Sequence, residues 1–217
     1  PGLYGTPLDE VKNIMESRGM AEGKIGWELG YEQRLGIPVL EYEELRRMMN
    51  KCQFVDGTDI LWSLRLVKSK VEIDCIRIAC EATSFALDKV FNTMHEGMKE
   101  TEIVQNLFSY MMEAGAEKPG FSLIASEKGG YDRVSNIGTD RRIEKGDLVW
   151  VDCGAVYKGY WADFGRAGIV GTVDQERKDY QACVHEVTMR AINYVKPGIT
   201  ADDLAGVCID ALEGYGF

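Results

Sequence analysis

The chain lacks a long apolar run, an excess of positive charge and any paired cysteine motif. No apolar stretch approaches the roughly 18 uninterrupted residues that a membrane helix needs, so we expect a soluble protein without a membrane span. Its 25 basic residues are outnumbered by 35 acidic ones, which gives a formal charge of −10 and a pI near 4.8. A nucleic acid or an anionic membrane would be repelled by such a surface, and we expect neither as a partner.

The cysteines show neither a Cys-x-x-Cys pair nor a dense framework. Six are present in 217 residues, at Cys52, Cys75, Cys80, Cys153, Cys183 and Cys208. Sparse cysteines of this kind are typical of reduced thiols. We therefore expect a cytoplasmic enzyme rather than a disulfide-linked secreted protein.

The most informative segment runs from Val151 to Gly168 and has the pattern of a β-hairpin. The β-branched and aromatic residues at 148–151 and 160–162 favour strands. Between them, the Tyr-Lys-Gly segment at 157–159 supplies a turn. This hairpin would hold two carboxylates.

The position of the turn decides how the carboxylates face each other. A two-residue loop at Tyr157-Lys158 puts Asp152 directly opposite Asp163, whereas a loop at Lys158-Gly159 makes them diagonal neighbours. In either register both lie on one face of the sheet, with Cβ atoms about 4.5–8 Å apart. The sequence leaves both registers open.

Two aspartates on one sheet face repel each other, and a chain selected for stability alone would rarely keep them. A divalent cation reverses the sign of that interaction. Oxygen ligands suit Mn, Mg, Co, Fe or Zn, and a carboxylate pair can begin a two-metal site. The alternative is a pair of solvent-facing aspartates on an edge hairpin. We favour the metal site.

The segment GDLVWVDCGAVYKGYWADFGRAG, residues 146–168, resembles the first metal-binding segment of the pita-bread metallopeptidases. That family includes methionine aminopeptidase, aminopeptidase P, prolidase and the non-peptidase creatinase. The resemblance implies that Asp152 is a bidentate ligand and Asp163 a bridging ligand of two divalent ions, which are Mn, Co, Zn or Fe. It also implies a small peptide or small-molecule substrate and a homodimer. Creatinase lacks the metal aspartates, so their presence favours a metal-dependent Xaa-Pro dipeptidase or aminopeptidase.

One departure from the family pattern bears on the substrate. The peptidases keep a histidine upstream of the first metal aspartate, where Val134 and Ser135 stand here. Ser135 and Asn136 could supply hydrogen bonds to substrate instead, and Tyr160 or Trp161 could line its pocket. The departure leaves open a C–N hydrolase of the ectoine hydrolase or creatinase type, or a dimethylsulfoniopropionate lyase. A non-catalytic binding protein is the third alternative.

Helix and strand patterns divide the chain into two parts. Residues 1–66 mix short helices with a strand and resemble the end of the small amino-terminal α/β domain of prolidases and creatinase. From residue 67 the order is helix, helix, strands, helix, helix. The predicted fold class is therefore α+β, with the first half to two-thirds of a pita-bread catalytic domain at 67–217.

Periodicity and end signals give the elements of the second part. We predict helices at 70–95 and 101–112, and strands at 121–125, 148–155 and 160–170. Thr101 is expected to cap the second helix. The patterns Thr172-x-x-Gln175 and Thr200-x-x-Asp203 predict capping boxes for two later helices.

The second helix pair resembles the first after a shift of 101 residues. Gly97 then aligns with Gly198, and Ile103 with Leu204. Amphipathic helices align in part by chance, but the shared glycine turn raises the match above that level, and a duplicated helix-helix-sheet unit fits the pita-bread fold. The chain ends where the second unit's strands are expected. The resemblance places a histidine and two glutamates there, so we expect an inactive fragment with two of five ligands.

Overall fold

The computed structural model describes residues 5–128 and 137–216. Contacts divide the chain into two compact units, Pro1–Ile73 and Asp74–Phe217. The boundary proposed from the sequence, between residues 66 and 67, stays a prediction. Among the described helices, none combines the length and apolar character needed to cross a membrane.

The first unit is small and holds a two-stranded parallel sheet. Its elements are α1 (Leu8–Ser17), β1 (Gly23–Trp27), α2 (Val39–Met48), β2 (Cys52–Asp56) and α3 (Thr58–Leu66), with β1 paired to β2. Met15, Leu45 and Met49 form its buried core, against which Trp27 and Phe54 stack with ring centroids 5.5 Å apart. The sequence patterns did not indicate β2.

The second unit follows the predicted order of helix, helix, strands, helix, helix. It begins within α4 (Lys70–Thr93), whose first four residues precede the boundary. The elements that follow are α5 (Glu100–Glu113), β3 (Lys118–Glu127), β4 (Leu148–Tyr157), β5 (Tyr160–Trp161), β6 (Phe164–Ile169), α6 (Gln175–Tyr194) and α7 (Ala201–Glu213). The strands form one antiparallel sheet, in which β4 pairs with β3 on one side and with β5 and β6 on the other.

Helices α4 and α5 pack on one face of this sheet, which we call the helix-side face. Alternate residues of the central strand point to it and are fully buried: Val149, Val151, Cys153 and Ala155. Gly168 on β6 meets α4 so closely that a Cβ atom there would lie 2.7 Å from the Phe91 ring. The residues that alternate with these four along β4, including Asp152, Gly154 and Val156, belong to the opposite face because side chains alternate along a strand. We call that the aspartate face.

The shift of 101 residues relates the ends of the two helix pairs. It carries the end of α4 at Thr93 to the end of α6 at Tyr194, and the start of α5 at Glu100 to the start of α7 at Ala201. The glycines of the two turns have φ angles of 90° and 96°, the left-handed region that favours glycine: Gly97 and Gly198. The sequence repeat is therefore also a repeat of backbone structure.

The predicted helix caps are correct in one case and wrong in two. Thr200 accepts a hydrogen bond from the backbone N–H of Asp203 at 3.1 Å, as the capping box requires. Thr101, by contrast, lies inside α5, and Thr172 precedes α6 by too many residues to cap it. Asp174 takes that position, because its carboxylate stands directly before the first turn and accepts a backbone N–H.

Candidate metal centre

The hairpin turns at Lys158-Gly159, which is the second of the two registers left open by the sequence. Tyr157 pairs with Tyr160, and the two residues between them have φ angles of 48° and 82°. Positive φ at both positions defines a type I′ turn, which matches the twist of the flanking strands. Glycine adopts this conformation freely, whereas the other register would force the bulky Tyr157 into it. The position of the glycine therefore explains the register.

In this register Asp152 pairs with Gly165, so Asp163 is its diagonal neighbour on the adjacent strand. Asp163 lies in the short break between β5 and β6. A Cβ atom on Gly154 would lie 1.7 Å from the carbonyl oxygen of Ala162, so only glycine admits that carbonyl over β4. The close approach of the two backbones fixes the chain immediately before Asp163.

The electrostatics of the pair favour a cation. Burial raises the pKa of Asp152, and the negative charge of Asp163 raises it further; the two carboxyl groups are close enough to share a hydrogen bond. Within the described residues the buried Oδ1 of Asp152 has no hydrogen-bond partner. A buried carboxylate oxygen without a partner is costly, and a bound divalent ion would satisfy it and neutralise the repulsion.

The pair fits a divalent ion but supplies only part of a coordination shell. Across residues 5–128 and 137–216, no cluster of three or more His, Cys, Asp or Glu side chains is placed to hold a metal. His95 and His185 are both exposed, on the helix-to-helix turn and on α6. Within the described residues, neither forms such a cluster with the aspartates.

Cys153 is adjacent to Asp152 in sequence but faces away from it. Its side chain is part of the core between the sheet and the helices. Burial, with the charge of Asp152, raises the pKa of this thiol to about 12. Because its side chain belongs to the opposite face from Asp152, Cys153 is not placed to share a metal with the aspartates.

The other predicted site residues lie in different places. Trp161 pairs with Val156 and so belongs to the aspartate face, where it is 53% exposed. Tyr160 pairs with Tyr157 and belongs by alternation to the opposite face. Ser135 and Asn136 lie outside the described residues.

A buried polar network that the sequence interpretation missed joins α5 to the sheet. Glu100 is 4% exposed and accepts hydrogen bonds from Ser126 Oγ and Thr139 Oγ1, both at 2.6 Å. Arg141 donates to the same Ser126 Oγ at 2.8 Å and to Asp147 Oδ2 at 2.7 Å. The network therefore links the start of α5, the end of β3 and the entry to β4.

Asp147 takes part in this network through Oδ2, while its buried Oδ1 has no hydrogen-bond partner among the described residues. Burial alone would raise the pKa of Asp147, but hydrogen bonds from Arg141 and from the backbone N–H of Glu144 lower it below its ordinary value. One signal in the sequence pointed to the network. Glu100 stands on the apolar stripe of α5 in line with Ile103, where a carboxylate needs buried partners.

The chain belongs to the metallopeptidase family M24, whose family model matches residues 74–217. Among curated relatives, the Xaa-Pro dipeptidase of Pyrococcus horikoshii is 33% identical over 213 residues, which is 97% of this chain and 59% of the relative. The Xaa-Pro dipeptidase of Pyrococcus furiosus is 32% identical over 189 residues, which is 87% of this chain and 54% of the relative. The family predicted from the hairpin is thus confirmed.

Solved structures confirm the predicted fold. The X-Pro aminopeptidase from Thermotoga maritima superposes with a TM-score of 0.84 at 25% identity, covering 100% of this chain and 59% of that one. The prolidase from Pyrococcus furiosus gives a TM-score of 0.79 at 29% identity, covering 96% and 59%. The second unit therefore has the pita-bread fold, and the chain spans less than two thirds of the length of these relatives.

Proposed function

We propose that this chain supplies the first metal-binding segment of a metal-dependent hydrolase that cleaves Xaa-Pro peptides. The observation that carries the proposal is the diagonal pair of Asp152 and Asp163, together with the buried Oδ1 of Asp152, which has no hydrogen-bond partner among the described residues. Membership in the M24 family and the Xaa-Pro activity named for the relatives support the reaction class.

Asp152 and Asp163 would hold two divalent ions, of Mn, Co, Zn or Fe, together with ligands from outside the described residues. A divalent ion in such a site lowers the pKa of a bound water and polarises a carbonyl oxygen. The hairpin contributes preorganisation, because the type I′ turn and the close contact at Gly154 set both carboxylates in place before any ion binds.

Further features of the protein follow from the same proposal. The six cysteines are all free, which supports a reducing compartment such as the cytoplasm. We also propose a homodimer, with Ser135, Asn136 and Trp161 near the substrate. Tyr160, which the sequence interpretation also named, belongs to the helix-side face and is not retained next to the aspartates. The division into an amino-terminal domain at 1–66 and a catalytic domain at 67–217 belongs to this proposal.

A second candidate function is hydrolysis or lysis of a small molecule on the same scaffold. It is favoured by Val134 and Ser135, which occupy the region where the resemblance implies a histidine that binds peptide. Either reaction class would use the aspartate pair. The two candidates therefore differ in substrate and not in metal ligands.

The test is Asp152→Asn in the full-length protein, with Asp140→Asn as the matched control. Asp140 has a side chain 80% exposed and lies outside the hairpin. We expect Asp152→Asn to weaken Mn²⁺ affinity by more than about 100-fold, since even outer-shell changes cost 10–100-fold, and to abolish Xaa-Pro cleavage. Metal content by mass spectrometry and dipeptide hydrolysis measure both.

Three outcomes are informative. Full turnover in Asp152→Asn would refute the role of the aspartate. A wild-type protein that holds metal but leaves Xaa-Pro dipeptides intact would favour the second candidate. Loss of metal affinity and of cleavage in both Asp152→Asn and Asp140→Asn would indicate a general effect of removing a negative charge, and not the loss of a metal ligand.

A further inference from the structure

We propose that the indole of Trp161 forms one wall of a subsite for an apolar side chain of the substrate, next to the aspartate pair. The inference rests on the proposed function and deepens it, because it names what the substrate presents to this part of the sheet. It is carried by the placement of the ring, by the way the ring is held and by the surface between the ring and the carboxylates.

The indole and the carboxylates share one face at peptide spacing. Trp161 is two residues before Asp163, and the strand pairs on either side of the break between β5 and β6 keep the same register. Two residues of chain span at most about 7 Å, which sets the largest separation of the two Cα atoms. A dipeptide has a similar reach, so a substrate held at the carboxylates brings a neighbouring side chain to the ring.

The ring is held in a defined seat. A Cβ atom on Gly120 would lie 2.7 Å from Cζ3 and 2.8 Å from Cε3 of Trp161, so the indole reaches across β4 and rests on the backbone of β3. Gly120 is the residue at which the β3 register shifts, between Pro119 and Phe121. The ring therefore has one packed side while 53% of the residue stays exposed.

The surface between the ring and the carboxylates carries the carbonyl of Ala162, which lies over Gly154, and is otherwise lined by apolar groups. Gly154 has no side chain, and its paired residue on β3 is Phe121, whose ring carbon Cε1 is 3.1 Å from where a Cβ of Gly154 would be. Val156 lies beneath the indole at 1% exposure, although it is not part of the core on the helix-side face. An aliphatic or aromatic side chain placed here would bury apolar surface of both rings.

A simpler role for Trp161 would be to cover Val156, and the two roles predict different results. If the indole only covers Val156, its truncation destabilises the protein and affects all substrates alike. If it contacts substrate, truncation changes the preference between substrates. Trp161→Phe separates the two roles further. A phenylalanine ring still covers much of Val156, but it extends less far towards a bound substrate.

The experiment compares kcat/KM of the full-length protein for Leu-Pro and Gly-Pro. Trp161→Ala is expected to lower the ratio of the two values by about tenfold, the range that apolar contacts with a substrate side chain contribute. Trp161→Phe should lower it less. Phe85→Ala is the control, since Phe85 is an aromatic residue 43% exposed on α4, and it should leave the ratio as in the wild type. Equal losses for both substrates would overturn the proposal.

A binding measurement keeps this inference separate from the proposed function. Leucinamide should change the tryptophan fluorescence of the wild type and glycinamide should not, and the change should be absent in Trp161→Phe. If the wild type cleaves neither dipeptide, the proposed function fails while this response still supports an apolar subsite. A wild-type spectrum that responds to neither amide overturns the subsite.

Discussion

The two helix pairs of the second unit share the same backbone plan and differ in what they bury. In the first pair Ile103, Leu107 and Met111 of α5 are at most 1% exposed, because they pack with α4 on the sheet. In the second pair the buried core is limited to Cys183, Val187 and Ala211, while Val184, Ile192 and Ile209 are more than half exposed. Amphipathic periodicity is thus enough to form a helix pair, but a sheet decides how much of its apolar face is buried.

The largest expected effect tests this difference at equivalent positions. Ile103→Ala removes a side chain that is 1% exposed and should lower the free energy of unfolding by about 2–5 kcal/mol. Leu204→Ala, at the equivalent position of α7, removes a half-buried side chain and should cost about 1 kcal/mol, because the first figure includes a cavity that a partly open site does not retain. Urea unfolding of the two variants measures both losses.

Equal losses would contradict the comparison. They would mean that α7 is supported by a surface that the described residues do not include. A loss for Ile103→Ala below the expected range would instead show that the core around α5 relaxes to fill the cavity left by the side chain.

The next effect concerns two ion pairs, one at the entry to β4 and one on α6. Asp147 is fully buried and ion-paired to Arg141, which is 35% exposed, whereas Glu186 of α6 pairs with Arg190 in solvent. Asp147→Asn should lower the free energy of unfolding at neutral pH by about 1–3 kcal/mol, a range kept low because solvent screens Arg141. Glu186→Gln should give no resolvable change, since exposed pairs contribute little.

The pH dependence of the Asp147 effect has a definite sign. The pKa of Asp147 is lower in the folded protein than its ordinary value of 3.8, so the carboxylate stabilises the fold fully above that value. This stabilisation is lost as the pH falls through the folded-state pKa. The difference between wild type and Asp147→Asn should therefore shrink below about pH 4, and chemical unfolding across that range measures it. A constant difference would exclude the linkage.

The smallest expected effect lies at the helix starts. In both helix pairs, the side chain of the third residue of the second helix accepts a hydrogen bond at 2.8 Å from the backbone N–H of the residue just before that helix. Glu102 accepts it from Lys99, and Asp203 from Thr200. Thr200 also caps with its own hydroxyl, and Lys99 has no such group. Thr200→Ala should cost about 1 kcal/mol and Lys99→Ala less, as thermal unfolding would show. A larger loss at Lys99 would mean that its exposed ion pair with Asp140 matters more than the cap.

Local patterns predicted most of the second unit, because they depend on residues close in sequence. The helix pairs, the hairpin and the box at Thr200 all follow from periodicity and turn chemistry within a few residues. The choice between the two hairpin registers needed one more physical step. It depends on which residue accepts a positive φ, and Gly159 accepts it where Tyr157 would not.

The missed features depend on contacts between distant parts of the chain. The partners of Glu100 are 26 and 39 residues away, so no local pattern could name Ser126 and Thr139 as its donors. The close contact between the Trp161 ring and Gly120 likewise joins β5 to β3 across β4, the strand between them. A charged residue on an apolar stripe indicates that such partners exist, but only the folded chain shows which they are.

The turn at Lys158-Gly159 has a consequence for how this site can change over evolutionary time. Because the glycine selects the register, it governs whether Asp152 and Asp163 stand diagonally or face to face, although it contributes no ligand atom. A substitution there would therefore weaken the proposed metal binding while both aspartates remain. What a descendant must inherit to keep the proposed site is the whole hairpin, and comparing the two aspartates alone would not reveal its loss.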